Sequence, residues 1–112
     1  VKLVLTPEAI SGQLTSLVAE NYRGVNAVFE AESKLAHAEY DLDLCEQKAF
    51  IGSNGNVAER NAIAKLESAE LRLKRDIARA ELNRVRLKLK AIESALMANG
   101  TQAKLLMVES RV

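Results

Sequence analysis

Val28, Ala31, Leu35, Ala38, Leu42, Cys45 and Ala49 follow one another at alternating spacings of three and four residues without a miss. An α-helix puts residues so spaced on one line, and an apolar line of this kind is a seam that packs against another helix. Ala78, Leu82, Val85, Leu89, Ile92 and Leu96 repeat the rhythm in the second half of the chain. The one proline, Pro7, stands so near the start that none of residues 8–112 is forced to break a helix. The chain is read as all-α, in agreement with its abundant Ala, Leu, Glu, Lys and Arg, its aromatic content of 4% and its lack of Trp.

Punctuation divides this helical text. "LTPEAI" offers Thr6 as an N-cap, Pro7 at the first helical position and Glu8 in the first turn, where the helix dipole favours an acid. Gly12 and Gly24 weaken the early turns, so residues 7–50 form either one helix or a short one before a long helix over about 14–50. "GSNGN" at 52–56 is the strongest break, and the turn is placed at 51–56. Asn54 and Gly55 suit positive backbone angles, and Asn56-Val57-Ala58-Glu59 can cap the next helix, expected over 57–98. Asn99-Gly100 is read as its left-handed stop, and Thr101 as the cap of a short last helix over 101–111. The long helices would span about 55 and 60 Å, a match for an antiparallel, coiled-coil-like hairpin with short terminal helices. Residues 1–112 are taken as a single domain.

Each helix carries a second apolar stripe. Val18, Tyr22, Val25, Phe29, Ala36 and Tyr40 form it on the first, and Leu66, Ala69, Leu73, Ile77, Ala80, Leu87 and Ala91 on the second. At 100° per residue these stripes lie about 140° around from the seams. Two packed helices bury one face each, and the short terminal segments are too brief to cover the second. The expectation is a homo-oligomer of hairpins packed side by side.

Charge is divided along the chain as well. Residues 1–57 hold four basic and eight acidic side chains, and residues 58–112 hold twelve basic and seven acidic, although the formal net charge is only +1. Arg72, Arg75, Arg79, Asn83, Arg86 and Lys90 align between the two stripes of the second helix, and Lys65 extends the line. Guanidinium groups at one-turn intervals suit the phosphates of a nucleic-acid backbone. These seven residues are the candidate nucleic-acid-binding set. The alternative is that Glu32, Glu39, Asp43 and Glu46 of the first helix meet the same bases across the hairpin or across a subunit interface. Tyr22, Phe29 and Tyr40 sit on an apolar stripe, so any binding would be backbone-led and sequence-tolerant. Five phosphate contacts on a single strand would give a salt slope of about −3.5 per protomer.

Other classes find little support. The sequence has no Gly-rich phosphate loop, no CxxC or HExxH spacing and no nucleophile paired with a histidine, so the chain is not read as an enzyme and no cofactor or metal is expected. His37 is read as a surface residue and Cys45 as a small buried hydrophobe. A lone cysteine fits a reducing, intracellular setting. No run approaches 18 apolar residues and no signal-peptide pattern opens the chain, so neither membrane insertion nor export is expected. Val1 in place of Met fits a trimmed fragment or a GTG start equally well.

The stretches "KAFIGSNGN" (48–56), "KAIESALMANG" (90–100) and "TQAKLLMVESRV" (101–112), with an Ala- and Glu-rich first helix, give a layout that resembles the UvsY-type recombination mediators of tailed phages. The resemblance runs from about residue 14 onward and rests on layout and rhythm. It implies a small helical protein assembling as rings, binding ssDNA, and helping a RecA-like recombinase displace a single-strand-binding protein in the bacterial host cytoplasm. No individual binding residue is carried over from the family. Secreted helical hairpins with a Trp-x-Gly turn share the layout, but this chain has no Trp. The function expected is therefore an oligomeric ssDNA-binding accessory protein of phage-type recombination. The alternatives are a coiled-coil assembly or scaffold protein, or an inhibitor that grips an acidic protein through the Arg line, with no nucleic-acid role.

Overall fold

A computed structural model of the chain describes residues 6–109. Among these residues there are three helices, α1 (Pro7–Gly52), α2 (Val57–Glu67) and α3 (Ala69–Glu109), and no strand. The N-terminal reading from Val1 and the last two residues of the expected tail helix, 110 and 111, lie outside the described residues.

Helix α1 begins where its signals place it. The Thr6 hydroxyl accepts from the Ala9 amide at 3.1 Å and the Thr6 carbonyl from the Ile10 amide at 3.0 Å, which satisfies donors that a helix start leaves unpaired. From there α1 runs unbroken for 46 residues, so the one-helix alternative is the one adopted. Gly24 does not weaken it, because glycine has a packing role at that point. A Cβ there would stand 2.9 Å from Leu89 Cδ1, so the missing side chain lets a leucine of α3 come close.

The turn follows the expected chemistry but is shorter, since α1 continues through Gly52. Gly55 takes φ +117°, the left-handed region, and Asn54 does not. The Asn56 side chain accepts from the Glu59 amide at 2.9 Å and donates to Glu59 Oε1 at 3.1 Å, closing a reciprocal cap on α2.

Two expectations need correction. The helix predicted over 57–98 is divided at Ser68, whose φ of −95° and ψ of 7° end α2. Ser68 is completely buried, and its hydroxyl donates to the Ala64 carbonyl at 2.7 Å, a back-bond that bends helices. The second correction is at Asn99-Gly100, where no stop occurs and α3 continues to Glu109. Asn99 is 96% buried rather than capping, and its side-chain amide donates to Gln13 Oε1 at 2.9 Å. Thr101 bonds back to the Met97 carbonyl at 3.1 Å inside the helix, so it caps nothing. A polar side chain that must be buried on the seam wins here over the turn propensity of an Asn-Gly pair.

The chain divides into two compact units. One joins residues up to Ala27 to residues from Val85 onward, and the other is Val28–Arg84. In the first, Gly24 meets Leu89 and Ile92 while Gln13 meets Asn99, so the early turns of α1 lie antiparallel to the late turns of α3. Ile10 and Ile92 are its buried apolar side chains, with Gln13 and Asn99 as a polar bridge. In the second, Glu46 meets Arg72 and Glu39 meets Arg79, again an antiparallel register. Its seam buries Ala31, Leu42, Ala64 and Leu82, and the rest of the predicted seam is half-buried.

With so few buried side chains, each large one carries much of the stability. Leu82, 4% exposed, is expected to cost about 2–5 kcal/mol when replaced by Ala, read as a fall in the urea midpoint. Leu73→Ala, at a site 60% exposed, is expected to cost the isolated chain well under half as much.

Candidate functional site

The seven residues of the predicted basic line do not form one free ridge. In Val28–Arg84, Arg72 and Arg75 are only half-exposed and Lys65, Arg79 and Asn83 are exposed. Arg72 donates from Nη2 to Glu46 Oε1 at 3.1 Å and to Ser68 Oγ at 3.1 Å, and from Nη1 to the Lys65 carbonyl at 3.4 Å. Arg75 holds Asp76 Oδ1 with Nε at 3.1 Å and Nη2 at 2.9 Å. Arg79 lies 3.7 Å from Glu39. In the other unit Arg86 and Lys90 are exposed, and Arg86 is not a free cation.

The pairing arises from where the line sits. Ala64, Ser68, Leu71, Arg75, Ala78 and Leu82 continue the three-and-four spacing and are all buried or half-buried, so the seam includes Arg75 itself. The guanidinium groups therefore border the α1 interface, within reach of the α1 acids, and Glu39 and Glu46 are two of the acids named as alternative partners. These pairs are a quarter to a half exposed, the regime in which an ion pair contributes at most about 1 kcal/mol. The groove beside them is lined by Ala36, Tyr40 and Leu42 and by both signs of charge, Glu39, Asp43, Glu46, Arg75 and Arg79. Facing away from it, Arg84 donates to Glu81 at 2.7 Å. That hydrogen bond holds the Glu81 carboxyl below the usual carboxylate range and raises Arg84.

The second stripes are where exposure concentrates. In Val28–Arg84, Phe29 is 72% exposed, Tyr40 65%, Leu66 78%, and Leu73 and Ile77 60% each. In the other unit, Val18, Tyr22, Val25 and Leu87 are exposed as well. Both stripes have the predicted composition, and no part of the described chain covers them.

Some functional side chains gave no usable sequence signal. Arg60 donates to the Phe50 carbonyl from Nε at 3.1 Å and Nη2 at 2.9 Å, and its Cζ stands 4.3 Å from the centre of the Phe50 ring. It supplies the positive charge that the last turn of α1 lacks, from the next helix. Nothing in the spacing of Arg60 marks this. Ser68 was visible in principle, as a polar residue on an apolar seam. Among the described residues no group of three or more His, Cys, Asp or Glu is arranged to hold a metal. No helix there is long and apolar enough to cross a membrane.

A double-mutant cycle on Arg79→Ala and Glu39→Ala, read by urea denaturation, is expected to give a coupling energy under about 1 kcal/mol. Arg60→Ala, which strips the Phe50 carbonyl of a charged donor, is expected to cost more, about 1.5–3 kcal/mol. No protein family, curated protein or solved structure matches this chain in the comparisons with known proteins.

Proposed function

We propose that this chain is a coiled-coil assembly protein, a helical unit whose work is to associate with copies of itself. The observation that carries the reading is the pair of bare stripes. An aromatic or aliphatic side chain left in water forgoes about 1.5–3 kcal/mol of burial, and soluble monomers rarely leave contiguous apolar stripes uncovered. The described residues of Val28–Arg84 bury two large apolar side chains, Leu42 and Leu82, and expose Phe29, Tyr40, Leu66, Leu73 and Ile77. The three-and-four spacing along the stripes is the pattern by which one helix seats on another.

A second reading, the ssDNA-binding accessory role implied by the UvsY-type resemblance, draws on one observation. Residues 58–112 hold twelve bases against seven acids. The in-chain pairs of Arg72 and Arg79 are weak enough to yield to phosphate, and Lys65 and Lys90 are exposed. The α1 acids beside the same groove oppose a polyanion, which is why this reading stands second. A RecA-like recombinase and a single-strand-binding protein belong to it as partners, and a phage origin and a bacterial cytoplasmic location go with it.

Light scattering across a protein dilution series tests the first reading. Wild-type mass is expected to exceed the monomer, and Phe29→Glu with Tyr40→Glu to weaken association by about 100-fold or more. A wild-type chain that stays monomeric at high concentration refutes the assembly reading. Polarisation with a labelled single-stranded oligonucleotide, repeated across salt concentrations, tests the second. Binding that falls steeply with salt and is lost in Arg79→Glu with Arg86→Glu supports it, and absent or salt-insensitive binding removes it.

A further inference from the structure

We infer that self-association, the reading on which this inference rests, has a second contact: the groove between the early turns of α1 and the late turns of α3 seats the same groove of another copy. The chain is 28% charged, yet it has three long runs without a charge, 9–19, 49–58 and 94–103. The middle one holds the turn. The other two lie opposite each other in one compact unit, where Asn99 bonds to Gln13. A helix that faces water ordinarily carries charge on its outer side, whereas the core of an interface between chains is depleted of it.

The groove between these runs encloses about 560 Å³, and no charged side chain lines it. Gly12 and Ser16 stand on its α1 side, Ala95 and Ala98 on its α3 side. A Cβ at Gly12 would meet nothing within 4 Å, so no described part of the chain uses the space this glycine leaves, in contrast to Gly24 beneath Leu89. The side chains at a contact set how near two helices come, and residues this small admit another helix closely. Asn99 lines the same groove and is 4% exposed. Its carboxamide N–H goes to Gln13, but its Oδ1 has no partner among the described residues. Buried polar atoms are nearly always paired, so this polar layer is half-finished within one chain.

A second copy meets these requirements. Two uncharged surfaces come together without the like-charge cost that charged faces would carry. A carboxamide both donates and accepts, so Gln13 or Gln102 of the second copy can donate to Asn99 Oδ1, and a two-fold axis returns the same bond. The four helices then form a bundle with a polar layer inside it. A buried Asn in such a layer fixes the register and the number of helices in a coiled coil.

The contact is tested in a chain whose α1 stripe is already blocked. Phe29→Glu with Tyr40→Glu, at positions 72% and 65% exposed, is expected to leave a dimer by light scattering or native mass spectrometry, whereas wild type, with both contacts, runs larger. Adding Gly12→Lys with Ala98→Lys is expected to turn that dimer into a monomer. Both positions are exposed and Lys is a good helix former, so the helical circular dichroism is expected to be unchanged. Gly12→Gln with Ala98→Gln adds bulk without charge, is expected to act in the same way, and stands in should the Lys chain misfold. A stripe-blocked chain that is monomeric where wild type assembles, or a dimer that survives both the Lys and the Gln pair, overturns the groove contact and leaves the stripe-driven assembly standing. A wild-type mass that is unchanged by the stripe substitutions but falls with the Lys pair overturns the stripe reading and keeps the groove contact. A monomeric wild type overturns both.

Discussion

A single seam between α1 and the later helices holds each unit together, and everything else in the molecule depends on how narrow that seam is. Its side chains alternate small and large, so the helices approach closely, and Gly24 beneath Leu89 is the extreme case. Close approach is dispersion-rich, because packed atoms gain attraction only near contact distance. It also leaves little interior. Ala31, Leu42, Ala64 and Leu82 are the buried apolar residues of one unit, two of them only a methyl group beyond the backbone. The apolar residues that do not fit between the helices are left on their outer sides, and the charged residues are left along the border of the seam.

That border explains the fate of the arginines. A base next to a packed interface faces the other helix as much as it faces water, and α1 presents carboxylates in register. Arg72 reaches Glu46 and Arg79 approaches Glu39 because the antiparallel pairing brings successive turns of the two helices opposite one another. The same geometry gives Ser68 its place. Its hydroxyl sits within the seam, returns a hydrogen bond to Ala64, and accepts one from Arg72, so a break in the helix and an ion pair across the seam share one residue. The chain's charge asymmetry is thus partly spent inside Val28–Arg84.

Much of this was legible in the sequence, for a definite reason. Helical periodicity depends on backbone geometry alone, so the seam from Val28 to Ala49 and its continuation from Ala78 to Leu96 can be read without knowing the partner. Caps are local as well, which is why Thr6, Gly55 and Asn56 stand where their chemistry places them. Asn99-Gly100 shows the limit of local reading. The pair has strong turn propensity, yet Gln13, far away in sequence, gives the Asn99 side chain a partner and the helix continues. The candidate site meets a related limit. The spacing of Arg72, Arg75 and Arg79 was right, but whether such a line faces solvent or a neighbouring carboxylate depends on the width of the seam beside it, and that width is set by packing across the pair.

The Arg60 clamp on the Phe50 carbonyl has a consequence beyond the turn. Four donors converge on that one oxygen, two from Arg60 and two from Ser53, so the reversal of the chain is fixed by polar contacts at its own tip and borrows nothing from the outer edges. Within Val28–Arg84, α1 and α2 are therefore joined by a turn that carries its own contacts. A turn held in this way has little conformational freedom left to lose if another chain packs against Val28–Arg84.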